Sequence, residues 1–311
     1  MKKRYVLGCF FFAVLSANAQ TTDYREKAKK IVAQMTLEEK ASLCSGETAW
    51  STQAIPRLGV PSIFMTDGPH GLRKAEGFDF TNSVPATCFP TASGLASSWN
   101  KELVKRVGEA LATESQANDV QILLGPGINM KRSPLGGRNF EYFSEDPYLA
   151  GKLAAGYVRG IQGAGVAACP KHFAVNSQET RRMTSDSVVD EATLREIYLT
   201  AFEILVKESR PLTIMTSYNL VNGTYSHENS HLLQDILRDD WGFDGAVVTD
   251  WGGGNDPVAA VSAGGTIEMP SPGFDSVCEI LESSNLDEEQ LNARVAEVVT
   301  LAHRINPETV D

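Results

Sequence analysis

Two kinds of hydrophobic spacing alternate along the chain. Apolar or small residues follow one another directly at Val60 to Thr66, Thr91 to Ala96, Val120 to Leu124, Val166 to Ala168, Leu212 to Thr216, Gly245 to Thr249 and Thr266 to Met269. Such runs suit strands covered on both faces. Between many of them lie segments with apolar residues three and four apart: Lys101 to Ala117, Pro147 to Gln162, Glu191 to Lys207 and His231 to Arg238. In the third, Leu194, Ile197, Tyr198, Ala201 and Leu205 are expected to share one buried helical face. Two more helices open the pattern, Tyr24 to Met35 and Thr36 to Cys44, the second begun by a capping box of Thr36 and Glu39. A last helix runs from about Leu286 to Ile305, and Asp287, Glu288 and Glu289 give it the acidic first turn that a helix dipole favours.

Alternating strand and helix imply an α/β fold with parallel strands joined by right-handed crossovers. Two architectures meet that description, an open doubly wound sheet and a closed (β/α)8 barrel. The open sheet is expected to carry a glycine-rich phosphate turn after its first strand, and TDGPHGLR is not that pattern. A barrel instead predicts polar, chemically useful residues at the ends of several strands, gathered at one mouth. Asp67 follows SIFMT, Lys171 and His172 follow VAACP, Tyr218 and Asn219 follow LTIMTS, and Asp250 follows GAVVT. The expectation is therefore a TIM-like (β/α)8 barrel, irregular in its details, filling residues 20–311. A barrel takes about 250 residues, which leaves no room for a second domain of useful size.

Composition narrows the class without choosing a function. Of 311 residues, 42% are hydrophobic and 22% charged, an ordinary balance for a globular protein with ample core. The first twenty residues differ in kind: Lys2, Lys3 and Arg4, an apolar stretch from Tyr5 to Leu15, then Ala17-Asn18-Ala19. This reads as a secretory signal cleaved after Ala19, which predicts a secreted or periplasmic protein. The apolar stretch is too short to span a bilayer, and Cys9 precedes most of it, the wrong order for lipid attachment. Cleavage removes three cations, taking the formal charge from -11 to -14. Such a surface repels nucleic acid and is indifferent to neutral sugars. The four remaining cysteines, Cys44, Cys88, Cys169 and Cys278, have wide spacings and no CxxC pair, so buried free thiols are expected.

The candidate chemistry sits at the strand ends. A run such as GAVVTDWG places Asp250 at the edge of a packed core, where an ionised carboxylate is costly unless partners or a ligand compensate it. Asp67 and Asp250, the cations Arg73, Arg138, Lys171 and Arg182, and the aromatic Trp251 and Tyr218 together predict a polar pocket with apolar platforms. Sugars suit it, because hydroxyls bond carboxylates and guanidinium groups while the C–H face of the ring stacks on an aromatic. A competing pattern is His227-Glu228-Asn229-Ser230-His231, which satisfies H-E-x-x-H. Zinc chemistry there needs both imidazoles one turn apart on a formed helix. Ser230 is expected to be the N-cap of the helix through Leu232, Leu233, Ile236 and Leu237, which leaves His227 outside it. The runs Gly125-Pro126-Gly127 and Gly252-Gly253-Gly254 are turn formers without the lysine and hydroxyl of a phosphate loop.

Five ordered motifs, TDGPHGLR, NMKRSPLGGRNFEYFSEDP, KHFAVNSQETRR, MTSYNLVNG and GFDGAVVTDWGG, resemble the N-terminal barrel domain of the family 3 glycoside hydrolases, with bacterial β-glucosidases nearest in pattern. The resemblance runs from about Met35 to the end of the chain. It implies hydrolysis of terminal non-reducing β-D-glucosyl residues by a retaining double displacement. It also implies Asp250 as the nucleophile, with Asp67, Arg73, Arg138, Lys171, His172, Arg182 and Tyr218 lining the subsite and Trp251 beside them. Cationic neighbours are expected to keep the nucleophile ionised. Retention needs a second carboxyl group. In most relatives of this kind that group comes from an α/β sandwich domain after the barrel, which this sequence lacks, so activity of the chain alone is open. A histidine-aspartate pair on the loop after K-H serves in another branch, but Ala174 to Ser187 contains no histidine, and Glu179 and Asp186 are its remaining acids. A weak glycan-binding barrel or a β-xylosidase is the alternative. The resemblance implies no metal or cofactor, and a β-linked oligosaccharide or glucoside as partner. Apolar surface normally covered by a second domain would favour homo-oligomers.

Overall fold

A computed structural model describes residues 24–75, 82–270, 279–283 and 286–306. The expected signal segment and Cys278 lie outside those residues. Among the described residues there are eight short strands: β1 Met65–Asp67, β2 Ile122–Leu124, β3 Ala167–Ala168, β4 Asp186–Ser187, β5 Thr213–Met215, β6 Leu220–Val221, β7 Thr224–Tyr225 and β8 Ala246–Val248. The architecture is mixed α/β. Strand β2 pairs in parallel with β1 and β3, and β5 pairs in parallel with β8. A small outlying sheet joins β4, β6 and β7, the last two as a hairpin.

Backbone contacts carry the pairing beyond the named strands. Residue Phe173 bridges Thr216, and the Met215 amide donates to Pro170, which links the continuation of β3 to β5. Ile267 bridges Val248, Glu268 bridges Ser45, Gly46 bridges Thr52, and Ser51 bridges Phe64 just before β1. Thr266 to Met269, expected as a strand, is present as these isolated bridges. Residues Ile122, Leu123, Ile214, Val247 and Val248 are fully buried, because each faces either the helices or the interior between strands.

The predicted helix Lys101–Ala117 is found with those bounds, capped by the Asn100 side chain, and Pro147–Gly163 is capped by Asp146. These two helices pack closely enough that Gly108 and Gly160 are required: a Cβ at Gly160 would lie 2.1 Å from the Lys105 carbonyl. The capping box is present, with Thr36 accepting from the Glu39 amide and Glu39 accepting from the Thr36 amide. The last helix, Glu288–Ile305, is capped by Asp287.

Three expectations are corrected. Thr91 to Ala96 is not a strand but contains a helix, Ala92–Ala96. Its buried residues Ala92, Leu95 and Ala96 follow helical spacing, and a run of small residues with one β-branched member offers a strand little. The segment expected as one helix from Glu191 comprises Glu191–Thr193, a π-helical segment Leu194–Leu199 and the helix Thr200–Ser209. The wider π turn moves the buried face, so Leu199 and Phe202 are buried while Ile197 is exposed. Ser230 does not cap the helix over His231–Asp240. Asn229 does, accepting from the Leu232 amide at 3.1 Å. Ser230 already has helical dihedrals, so its hydroxyl cannot reach back. The described cysteines are free, but Cys88 is exposed, unlike the buried Cys44 and Cys169.

Candidate functional site

The strand ends deliver their polar residues to one cavity of about 370 Å³. Asp67, Arg73, Arg138, Lys171, His172, Arg182, Tyr218, Asp250 and Trp251 all line it. Local structure explains the convergence. After β1 the chain turns through Gly68 and Gly71, both at positive φ, and the Arg73 amide returns to the Asp67 carbonyl at 2.9 Å. A Cβ at Gly71 would lie 2.3 Å from the Thr87 carbonyl, so only glycine fits. After β3, the Lys171 amide donates to Pro126 and its carbonyl accepts from Ile128, holding both ends of the residue while the side chain projects. After β8, Thr249 is tied to Met269 in both directions and Gly252, at φ 81°, donates to Met269, which turns Asp250 into the cavity.

The charged groups alternate in sign. Asp67 accepts from Arg73 at 2.7 Å and from Lys171 at 2.9 Å. The Lys171 ammonium lies 3.7 Å from Glu141, which takes a two-pronged bond from Arg138 at 2.7 and 2.9 Å. Arg138 also donates to His172 Nε2 at 2.9 Å, and that nitrogen is 3.5 Å from Asp250. Accepting from a guanidinium, Nε2 carries no proton, so the proton sits on Nδ1 against Tyr142 Oη and Asn129 Oδ1. Burial, with Arg138, Lys171 and Arg182 nearby, pushes the imidazole well below its ordinary pKa. His172 is therefore neutral and its contact with Asp250 is not an ion pair.

The two cavity aspartates differ in state. Burial works to raise the Asp67 carboxyl, but the charge and hydrogen bond of Lys171, with Arg73 and Arg138, hold it below the ordinary value. For Asp250 burial prevails over Lys171 and Arg138 and raises it to about 6. The cations Lys171 and Arg138 act on Asp250 in the expected direction but do not outweigh burial. Its neighbours give only partial compensation, because Arg138 and Lys171 are already engaged by Glu141 and Asp67. Burial and the adjacent Asp250 push the Tyr218 phenol up, so it stays protonated and donates to the Trp251 carbonyl at 2.8 Å. The Arg182 guanidinium lies 4.5 Å from the Tyr218 ring centre.

Sequence reasoning missed Trp50 and Met215, which also line the cavity. The Trp50 and Trp251 rings lie 5.2 Å apart, and Trp251 donates to the Ala49 carbonyl at 3.0 Å. Trp50 lies in no expected strand, whereas Met215 was within reach near the end of the expected strand Leu212 to Thr216. Glu141 was missed too, although it follows Arg138 by three residues. Glu179 and Asp186 do not line this cavity: Glu179 pairs with Arg182 at 2.8 Å, and Asp186 accepts from the Gly223 amide. The two histidines of H-E-x-x-H are separated. His227 is buried against Thr216, while exposed His231 pairs with Glu191 and Asp235. Among the described residues no group of three or more His, Cys, Asp or Glu could hold a metal ion. Among those residues, too, no helix is long and apolar enough to cross a membrane.

Residues 28–301 match the glycosyl hydrolase family 3 N-terminal domain. The chain belongs to that family. It is 58% identical over 278 residues to the thermostable beta-glucosidase B of Acetivibrio thermocellus, covering 87% of this chain and 37% of the relative. It is 55% identical over 244 residues to an exo-alpha-(1->6)-L-arabinopyranosidase of Bifidobacterium longum, covering 77% of this chain and 32% of that protein. Beta-glucosidase 3B of Thermotoga neapolitana, solved with glucose, superposes with a TM-score of 0.85 at 40% identity over 89% of this chain and 42% of its own. The family 3 chain thus spans about a third of the length of these curated relatives.

Proposed function

We propose that this family 3 chain carries the sugar site and nucleophile of a retaining β-glucosidase, with Asp250 forming the covalent glycosyl-enzyme. One observation carries the reading: a buried, partly compensated carboxylate faces a cavity whose other polar groups are held by one another. Asp67 is fixed as a carboxylate by Lys171 and Arg73, which suits acceptance of two sugar hydroxyls. Arg138 and Lys171 donate to the remaining hydroxyls, neutral His172 steadies Arg138, and Trp50 and Trp251 supply the stacking surface. At pH 7 Asp250 is mostly ionised, as a nucleophile must be, and a developing positive charge at the anomeric carbon stabilises it further.

The fold reading behind this site is a (β/α)8 barrel. Its support is the succession of backbone pairings from β1 through β2, β3, β5 and β8 to Ile267 and Glu268, then through Ser45, Gly46, Thr52 and Ser51 back to Phe64. All nine cavity residues expected from sequence stand at the carboxyl ends of these segments or in the loops that follow, as a barrel mouth requires.

Retention also needs an acid, and among the described residues no carboxyl group besides Asp67 and Asp250 lines the cavity. Asp67 is held ionised. Glu268, raised to about 7 by burial and by Glu279 and Glu228, lines a separate small cavity with His227. The acid is then a group from outside the described residues, and departure of a poor leaving group is slow without it. The second reading is a glycan-binding barrel that turns nothing over. The two separate with 2,4-dinitrophenyl β-glucoside, whose leaving group needs no acid. A burst of dinitrophenolate, with a glucosyl adduct on the protein and both lost in Asp250→Ala, is expected. Glucose binding with no adduct at any pH leaves only the second reading.

A further inference from the structure

Glu141 stands at the centre of the charge network; it does not line the cavity that contains Asp250 but an adjoining one of about 600 Å³, which shares Asp67, Arg73, Arg138 and Lys171 with it. It is 5% exposed, and its hydrogen bonds go to Arg138, with the Lys171 ammonium 3.7 Å away. A carboxylate with so little exposed surface is tolerated only where cations compensate it. Here the compensating cations are the two that face the sugar-sized space. Burial opposes its ionisation, but Lys171 and Arg138 hold Glu141 below the ordinary carboxylate range. It is a fixed negative charge.

We propose that Glu141 is a positioning residue: its carboxylate locks the orientation of Arg138 and Lys171 towards the bound sugar, and offsets part of their charge as felt by Asp250. The inference rests on the reading of this cavity as a glucosyl site. Geometry gives both halves. The two-pronged bond fixes the plane of the Arg138 guanidinium, so that its remaining N–H reaches His172 and the cavity instead of turning away. Lys171 is placed between Asp67 and Glu141, which leaves its third donor for a hydroxyl. Glu141 is faced by Arg138, Lys171, Asp67, His70 and Tyr142; Asp250 is faced by Lys171, Arg138, His172, Tyr218 and Asp67. Arg138 and Lys171 are the cations common to both sets. Without the carboxylate they act on Asp250 unopposed and favour its ionised form.

The test compares Glu141→Gln and Glu141→Asp with the wild type in two readouts that require no turnover. One is glucose affinity by calorimetry. The other is a carbon-detected NMR titration of the Asp250 carboxyl, assigned by its loss in Asp250→Asn. Glu141→Gln is expected to bind glucose about tenfold more weakly, the loss of one charge-assisted contact, and to move the Asp250 titration to lower pH. Glu141→Asp keeps the charge on a shorter arm, so affinity falls while the Asp250 titration stays near its wild-type position. A residue that only supports the fold would lower the unfolding midpoint in both variants and leave both readouts unchanged in the folded protein, which overturns the proposal. Should Glu141→Gln not fold, Glu141→Asp decides: wild-type affinity refutes positioning, weakened affinity with an unmoved titration supports it. A wild type that binds glucose but forms no adduct defeats the catalytic reading alone and leaves this test standing.

Discussion

Two buried charge clusters sit at opposite ends of the parallel strands and differ in what their hydrogen bonds are used for. At the end where β8 begins, Arg238 and Arg294 share Glu297 at 3.0 Å each, Arg238 also donates to the Gly264 and Gly245 carbonyls, and Thr266 donates to Glu297. The ligands of that cluster are backbone and neighbouring side chains, and it ties two strand ends to the last helix beside a cavity of about 300 Å³. At the end where β8 stops, Asp67, Lys171, Arg138 and Asp250, with Glu141 paired to the two cations, use the same residue types around the candidate site. Cluster chemistry alone therefore does not mark a site. What marks it is unspent capacity, in the form of a carboxylate at Asp250 whose compensation is incomplete and whose pKa is raised to about 6.

That contrast predicts opposite signs for similar substitutions. The largest effect is expected at the end where β8 begins. Glu297→Gln leaves Arg238 and Arg294 without a counter-ion, and urea unfolding should show a loss of about 3 kcal/mol or more, with glucose affinity unchanged. At the other end Asp250→Asn should instead stabilise. A carboxyl raised from 3.8 to about 6 in the fold binds its proton more tightly there than in the unfolded chain. Its contribution to stability is thus complete below about pH 4 and is lost as pH rises through 6, a difference of up to about 3 kcal/mol. Asparagine lacks that loss, so the variant should gain stability at pH 8 and gain little at pH 4 in the same unfolding assay. Destabilisation at pH 8 would mean Asp250 is compensated as fully as Glu297. The smallest effect is on rate. Dinitrophenolate release should fall about tenfold for each pH unit below 6, because only the ionised carboxylate attacks; a flat profile down to pH 4.5 would place the Asp250 pKa near that of an ordinary aspartate.

The helices that carry local signals were legible in advance. Lys101–Ala117 is found with the expected bounds because an Asn cap and an apolar stripe specify it without help from the rest of the chain. Thr91 to Ala96 was misread because small residues satisfy both periodicities, and packing against the Pro147–Gly163 helix decided between them. The π-helical Leu194–Leu199 left no mark in the spacing, and it exchanged Ile197 for Leu199 and Phe202 on the buried face. Strand ends were legible because a polar residue after an apolar run is a local feature, and the structure brings those residues to one cavity. Trp50 and Glu141 were not, since neither ends a strand.

The order of apolar runs and the polar residues that follow them is written in the sequence, and so is the carboxylate at Asp250. The ionisation state of Asp250, the tautomer of His172 and the pairing of Glu141 with both cavity cations are not. They depend on distances between groups far apart in the chain, such as Asp67 and Lys171, and on how much water folding removes from around them. Local spacing can specify an element, but an electrostatic balance exists only once the separate elements have met.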